Sequence, residues 1–374
     1  MWLGPLEKVQ ISAIQLFYVM LGFEIGNTLI FAIGSGAKQD AWLAILLSML
    51  GGIILMGVYI KLCSLYPNDT LVQMIPKIVG RYLSYPVVIL YILYFTFLAS
   101  TACRDFSELI VSTILPNTPM IVIIGSFVTI VIYCLRGGIE SFGRMGELVF
   151  PVFMLILLGV WILMIITNDE FDLKRMTPVL GEGLKPIIDE MLPYPSPSIL
   201  VFPFGETVLI TMLFPFLKVK SQAKWTGFAV IAAGGILLAI NSLFMISILG
   251  PNIYKQEFFP LLAATRMISI ADFLERFDAI IILLMVAGVF LKVGGWTFGA
   301  SVAIAQLFKI NNNNSILLAL GALITPLSII QATNFIQFRD FGKNFIDPYL
   351  HVPLQIIIPA GLLGIALIRK KFTS

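Results

Sequence analysis

The chain has 374 residues, of which 59% are hydrophobic and only 12% charged, and its mean hydropathy is +0.97. A water-soluble globular chain carries roughly 25% charged residues, so a soluble fold is excluded, and long apolar runs in place of short alternating ones exclude a β-barrel. The formal net charge of +3 is small; the placement of the charges is more informative than their sum, and no nucleic-acid partner is expected.

Ten apolar segments, each near the roughly 20 residues that a membrane span needs, follow in order: 10–35, 41–64, 83–114, 118–135, 147–167, 198–217, 225–250, 277–308, 315–337 and 352–369. They predict a single all-α membrane domain, with five spans in about 10–167 and five in about 198–369. The first run is too long for a cleaved leader and no small-residue cleavage site follows it, so it is expected to stay as a helix. The third and eighth exceed the bilayer and imply tilt or extension. Between the fifth and sixth, Leu184, Ile187, Ile188 and Met191 repeat at helical spacing, which predicts a short surface helix that Pro193, Pro195 and Pro197 stop. Leu261, Leu262, Ile268, Ile270, Phe273 and Leu274 read in the same way between the seventh and eighth. Such helices either cap the outer mouth of the bundle or rest at the lipid interface. An even number of spans puts both termini on one side. That side collects most of the lysine and arginine, including Lys61, Lys77, Arg81, Arg136 and Arg144, with only Glu7, Asp69, Glu140 and Glu147 as acids. Basic residues favour the cytoplasm, so both termini are expected there.

Glycine and a carboxylate interrupt the first and sixth runs, as Gly22-Phe23-Glu24-Ile25-Gly26-Asn27-Thr28 and Phe202-Pro203-Phe204-Gly205-Glu206-Thr207. A broken helix at bilayer depth is tolerated only where protein or a water-filled cavity satisfies its backbone, and paired breaks in two halves of a chain point to a small-molecule site. Gly22, Gly26, Pro203 and Gly205 account for the breaks, and the freed N–H groups are expected at a half-helix N-terminus that favours an anion. Apart from charges near the ends of the runs, six charged residues fall inside them: Glu24, Arg104, Asp105, Glu108, Glu206 and Lys292. Each costs about 2.5–3.5 kcal/mol at mid-helix, and together they occupy only the first, third, sixth and eighth spans. Those four are predicted to share a polar interior that the other six surround. Arg104 and Glu108 are spaced to pair along one helix face, and by depth Lys292 can reach Glu24 or Glu206. Either these groups form a site, or they are buried ion pairs that fix helix register. The small residues Gly294, Gly295, Gly299, Ala300, Ser301 and Ala303 read as helix packing. Cys63, Cys103 and Cys134 fit no metal motif, His351 is the single histidine, and no nucleophile with a base or cofactor motif is present. No metal, cofactor or enzyme activity is expected.

Ten spans with the first and sixth broken and the third and eighth polar resemble the amino acid–polyamine–cation permease superfamily, the LeuT-like fold. The Phe202-Pro203-Phe204-Gly205-Glu206 run, the Glu24-Ile25-Gly26-Asn27 break and the proline-rich stretch before the sixth span resemble the B subunit of bacterial spore germination receptors, the endospore germination permease family. The resemblance implies a 5+5 inverted repeat and a germinant sensor in the spore inner membrane, working with A and C subunits. It also implies a small nutrient ligand, typically an amino acid and sometimes a sugar or nucleoside. By position, Gly26, Asn27, Gly205 and Glu206 match the permease substrate site. With them, Glu24, Thr28, Glu108, Phe202 and Lys292 complete the expected ligand-binding set. No sodium-ligand set is identifiable. A proton-coupled amino acid transporter is the alternative reading, and a channel subunit a third.

Overall fold

The computed structural model of the protein describes residues 10–166, 171–192, 198–267 and 278–373. Among them every regular element is helical. Eight helices are long and apolar enough to cross a membrane, and two shorter apolar segments, Met120–Leu135 and Phe204–Phe216, accompany them. Helix α1 (Ala13–Ile25) starts where the Ser12 hydroxyl accepts from the Gln15 N–H at 3.1 Å and the Gln15 side chain accepts from the Ser12 N–H at 2.9 Å. This reciprocal cap satisfies two otherwise free donors. Every residue from Val19 to Ile25 is buried, as in a helix that is apolar all round and lies in the core.

After α1 come α2 (Ala41–Leu65), α3 (Leu71–Val79), α4 (Arg81–Thr113), α5 (Met120–Leu135) and α6 (Gly138–Ile166). The short α7 (Lys185–Met191) and α8 (Ile210–Leu213) precede α9 (Ala223–Gln256), α10 (Pro260–Arg266), α11 (Asp278–Phe308) and α12 (Asn313–Ile330). Last are α13 (Phe335–Phe341), a π-wound stretch Gly342–Ile357, and α14 (Ile358–Thr373). Helix α1 is enclosed by α6, α9 and α11, while α4 lies along α11 and α2 along α9.

Several sequence-based bounds change. Helix α6 begins at Gly138 rather than 147, because Glu140 and Arg144 pair one turn apart and carry the helix beyond the apolar run. Helix α12 ends at Ile330, and the last apolar segment extends back to Phe335. Its polar residues Arg339, Asp340, Lys343, Asp347 and His351 hide that stretch from a hydropathy reading, so the segment is not the plain surround that its sequence suggests. Helix α3 was not expected. Gln73 and Thr70 cap it, Leu71, Val72, Met74, Ile75 and Ile78 are buried, and the Thr70 hydroxyl donates to Gln306 at 2.5 Å. The expected surface helix appears as α7, while Pro193, Pro195 and Pro197 lie outside the described residues. Helix α10 covers Leu261 and Leu262 of the second one; Ile268, Ile270, Phe273 and Leu274 lie outside the described residues.

Candidate functional site

The first break falls at Gly26 and Asn27, followed by a single 3-10 turn, Thr28–Ile30, and extended backbone at Phe31. Gly22 does not take part, since it lies inside α1 and packs on Leu291. Gly26 is required by close approach: a Cβ there would stand 2.6 Å from the Gly288 carbonyl of α11. Buried side chains take up the freed carbonyls. Thr28 Oγ1 donates to Glu24 O at 2.8 Å, Asn241 Nδ2 to Leu29 O at 2.7 Å, and the Tyr254 hydroxyl to Ile33 O at 2.7 Å. The second break runs through Pro203 into a 3-10 stretch, Phe204–Leu209. There the Gly205 N–H donates to Leu200 O at 2.8 Å, and the Tyr59 hydroxyl sits 3.2 Å from Gly205 O and 2.7 Å from Gln355 O. Protein thus replaces the water that a broken backbone needs. The expected anion-binding helix N-terminus does not form, because 3-10 winding and the four-residue α8 follow the second break and only one short turn follows the first.

The crossing of Gly26 and Gly288 sets the register of α11 so that Lys292, one turn on, faces the break. Its Nζ donates to Asn27 Oδ1 at 2.9 Å and lies 2.5 Å from Glu206 Oε2, while Asn27 Nδ2 donates to Asp105 Oδ2 at 3.0 Å. The Lys292–Glu206 contact is an ion pair by distance, although Glu206 Oε2 lacks a hydrogen bond of good angle. The Phe202 ring centroid lies 4.4 Å from the same ammonium, a cation–π contact. Residues from four separate segments therefore form one chain, Asp105–Asn27–Lys292–Glu206, with every member at most 6% exposed. Two carboxylates bracket one ammonium, and the asparagine amide relays between them; charges this deeply buried persist only when paired in this way.

This chain lines a cavity of about 390 Å³. Of the expected ligand residues, Asn27, Phe202, Glu206 and Lys292 line it. Gly26, Thr28 and Gly205 shape the backbone behind it. Glu24 stands apart: it is fully buried, neither carboxylate oxygen has a partner among the described residues, and it packs on Gly234. Lys292 thus pairs with Glu206 rather than Glu24. Glu108 is placed elsewhere, in a second recess with Asn334 and Phe335, where Arg104 Nε donates to it at 2.8 Å and Arg104 Nη1 donates to Ile329 O at 3.1 Å. Sequence reasoning missed Glu190, Arg339, Asp347 and His351 on the cavity wall. The i,i+4 series Asp347, His351, Gln355 was the available signal, for it puts three polar groups on one face of a helix.

Apolar helices of membrane-spanning length around a buried polar cavity, with two of the apolar segments interrupted beside it, define an integral membrane protein of permease-like build. The chain belongs to the spore germination protein family, whose model matches residues 10–336. It is 33% identical over 366 residues to spore germination protein KB of Bacillus subtilis (strain 168), covering 98% of this chain and 97% of that protein. It is also 28% identical over 340 residues to the putative spore germination protein YfkT of the same organism, covering 90% of this chain and 88% of that one.

Proposed function

We propose that this chain is a nutrient-sensing subunit that triggers spore germination by binding a small polar molecule, an amino acid, a sugar or a nucleoside, in the 390 Å³ cavity. The single observation that carries this reading is the Asp105–Asn27–Lys292–Glu206 chain, held on the wall of that cavity between two interrupted segments. A volume of this order suits a small ligand. The ligand competes for the Lys292 ammonium and the Glu206 carboxylate, and its differential affinity for the two arrangements of the broken segments is the signal. In this reading the eight long helices and two shorter apolar segments are ten passes in a 5+5 inverted arrangement, with both termini cytoplasmic. The membrane is the spore inner membrane, and A and C subunits receive the signal. The role is recognition rather than catalysis.

Titration calorimetry of the purified chain against amino acids, sugars and nucleosides tests the site. The expected result is saturable binding that is lost in Glu206→Gln and lost equally in the double change Glu206→Gln with Lys292→Met, in which neither partner of the pair is stranded. Binding that persists in Glu206→Gln removes the site from the chain described here. A second reading, a proton-coupled transporter, is favoured by Glu24, since a partnerless buried carboxyl group is a place where a membrane protein carries protons. Uptake of the bound ligand into liposomes, driven by a pH gradient and lost in Glu24→Gln, selects that reading; binding without uptake selects the sensor.

A further inference from the structure

Part of the cavity wall, made by residues outside the expected set, carries a donor and an acceptor that do not satisfy each other. Asp347 and His351, one turn apart on the π-wound stretch Gly342–Ile357, both line the cavity and are 8% and 4% exposed. Asp347 Oδ1 and His351 Nε2 are 3.7 Å apart, beyond the reach of a good hydrogen bond. Neither atom has a closer partner among the described residues. The other side of the ring is fully engaged. His351 Nδ1 lies 2.5 Å from the Tyr94 hydroxyl and 2.8 Å from the amide nitrogen of Gln355, which itself donates to the Tyr94 oxygen at 2.7 Å. With the Gln355 amide nitrogen donating to the Tyr94 oxygen, the Tyr94 hydroxyl proton is left to donate to the single lone pair of Nδ1. The ring proton is therefore on Nε2, which is also the position that a neighbouring carboxylate favours.

We infer that Asp347 and His351 form a hydroxyl-binding subsite, an inference that rests on the reading of the cavity as a ligand site. A hydroxyl is donor and acceptor at once. One hydroxyl oxygen between the two groups donates to Asp347 Oδ1 and accepts from His351 Nε2–H, and it satisfies both. An ammonium cannot accept from the imidazole, and a carboxylate meets the Asp347 charge. The subsite thus selects ligands by an OH group, whatever their other end presents to Lys292 and Glu206. It is held rigidly: the Tyr91 hydroxyl donates to Leu354 O at 2.7 Å and the Tyr59 hydroxyl lies 2.7 Å from Gln355 O, so α4 and α2 fix the stretch that carries it.

The test is titration of the purified full chain with matched pairs: L-serine against L-alanine, L-threonine against L-valine, D-glucose against its monodeoxy forms, and adenosine against 2′,3′-dideoxyadenosine. For each pair that binds, the hydroxylated member should bind at least about ten-fold tighter. In Asp347→Ala and His351→Phe that ratio should fall to within about two-fold, chiefly through weaker binding of the hydroxylated member, because the interaction with the OH is lost. A ratio near one in the unaltered protein, or a ratio that survives both substitutions, overturns the subsite. If His351→Phe fails to fold through loss of the Tyr94 contact, Asp347→Ala alone decides. Failure of the cavity reading looks different: no probe binds at all, and the subsite falls with it.

Discussion

At the scale of single residues, Lys292 is the position on which most depends. It is 1% exposed and touches Asn27, Glu206 and the Phe202 ring. Removing one partner of a buried ion pair leaves the other charge uncompensated, at a cost of about 3–5 kcal/mol. Lys292→Met should therefore lower the melting temperature of the purified protein sharply. The double change Lys292→Met with Glu206→Gln should recover much of that loss, because Glu206 is then no longer stranded; a double-mutant cycle measures the coupling directly. Equal loss in the single and double variants would show that packing around the aliphatic stem, not charge, sets the effect. Lys292 and Glu206 were legible in the sequence because a charge in a long apolar run stands out, whereas Asp105 stood out only as a charge and Glu108, which lies in the second recess, was expected at the site in its place. Asn27 was legible only through its neighbour Gly26. Arg339, Asp347 and His351 were not, because enough polar residues occur together there to make the stretch resemble a loop.

At the scale of elements, the site depends on how closely α1 and α11 approach. Gly26 and Gly288 meet backbone to backbone, so neither neighbour can yield by rotating a side chain. Gly288→Ala should force the two segments apart, costing about 1–3 kcal/mol as overpacking does, and should also weaken ligand binding by carrying Lys292 away from Asn27. Gly57→Ala on α2 is the control, since a Cβ there meets nothing within 4 Å. Thermal unfolding of both variants checks the contrast, and similar losses would remove the close approach as the cause. The breaks themselves could be read from glycine and proline within apolar runs. Their form could not. Whether a freed segment continues as an α-helix or as 3-10 turns depends on partners from distant segments, here Asn241, Tyr254 and Tyr59, and a single sequence does not say which of these will meet the break. The π-wound stretch was hidden for a related reason. Pro348 and Pro353 argue locally against a helix, and contacts with Tyr59, Tyr91 and Tyr94 help to hold the winding that forms.

At the scale of the whole molecule, one cap joins the flanks of both breaks. Residues 34–40, which follow the first break, are tied to the connection before the second. Lys38 pairs with Glu182 at 2.5 Å, Gln39 Nε2 donates to Pro178 O at 3.1 Å, and the Leu180 N–H donates to Asp40 at 3.1 Å. Further along, the Ile199 N–H donates to Glu190 O at 3.0 Å, at the entrance to the second break. The Glu190 carboxylate closes the circuit by packing against Gly36 while it lines the cavity. Burial pushes Glu190 above its ordinary value of 4.5, and the Gly36 N–H, with Lys343 and Lys255, opposes the rise without cancelling it. A carboxyl group whose value is higher in the folded than in the unfolded state binds protons more tightly when folded. Its contribution to stability is fully present below the ordinary value and is lost as pH rises through the folded one. Glu190→Gln has no such titration. The melting temperature of the unaltered protein, taken relative to that of Glu190→Gln, should fall as pH rises from about 4 and then level off once the folded group has ionised. Scans of both proteins over this range decide the matter. Parallel curves would mean that Glu190 is ordinary in the folded state and that the cap is held by its other contacts. A difference that opens with pH would make the Glu190–Gly36 contact a place where proton binding and the geometry of the two breaks are linked, because the same carboxylate serves both.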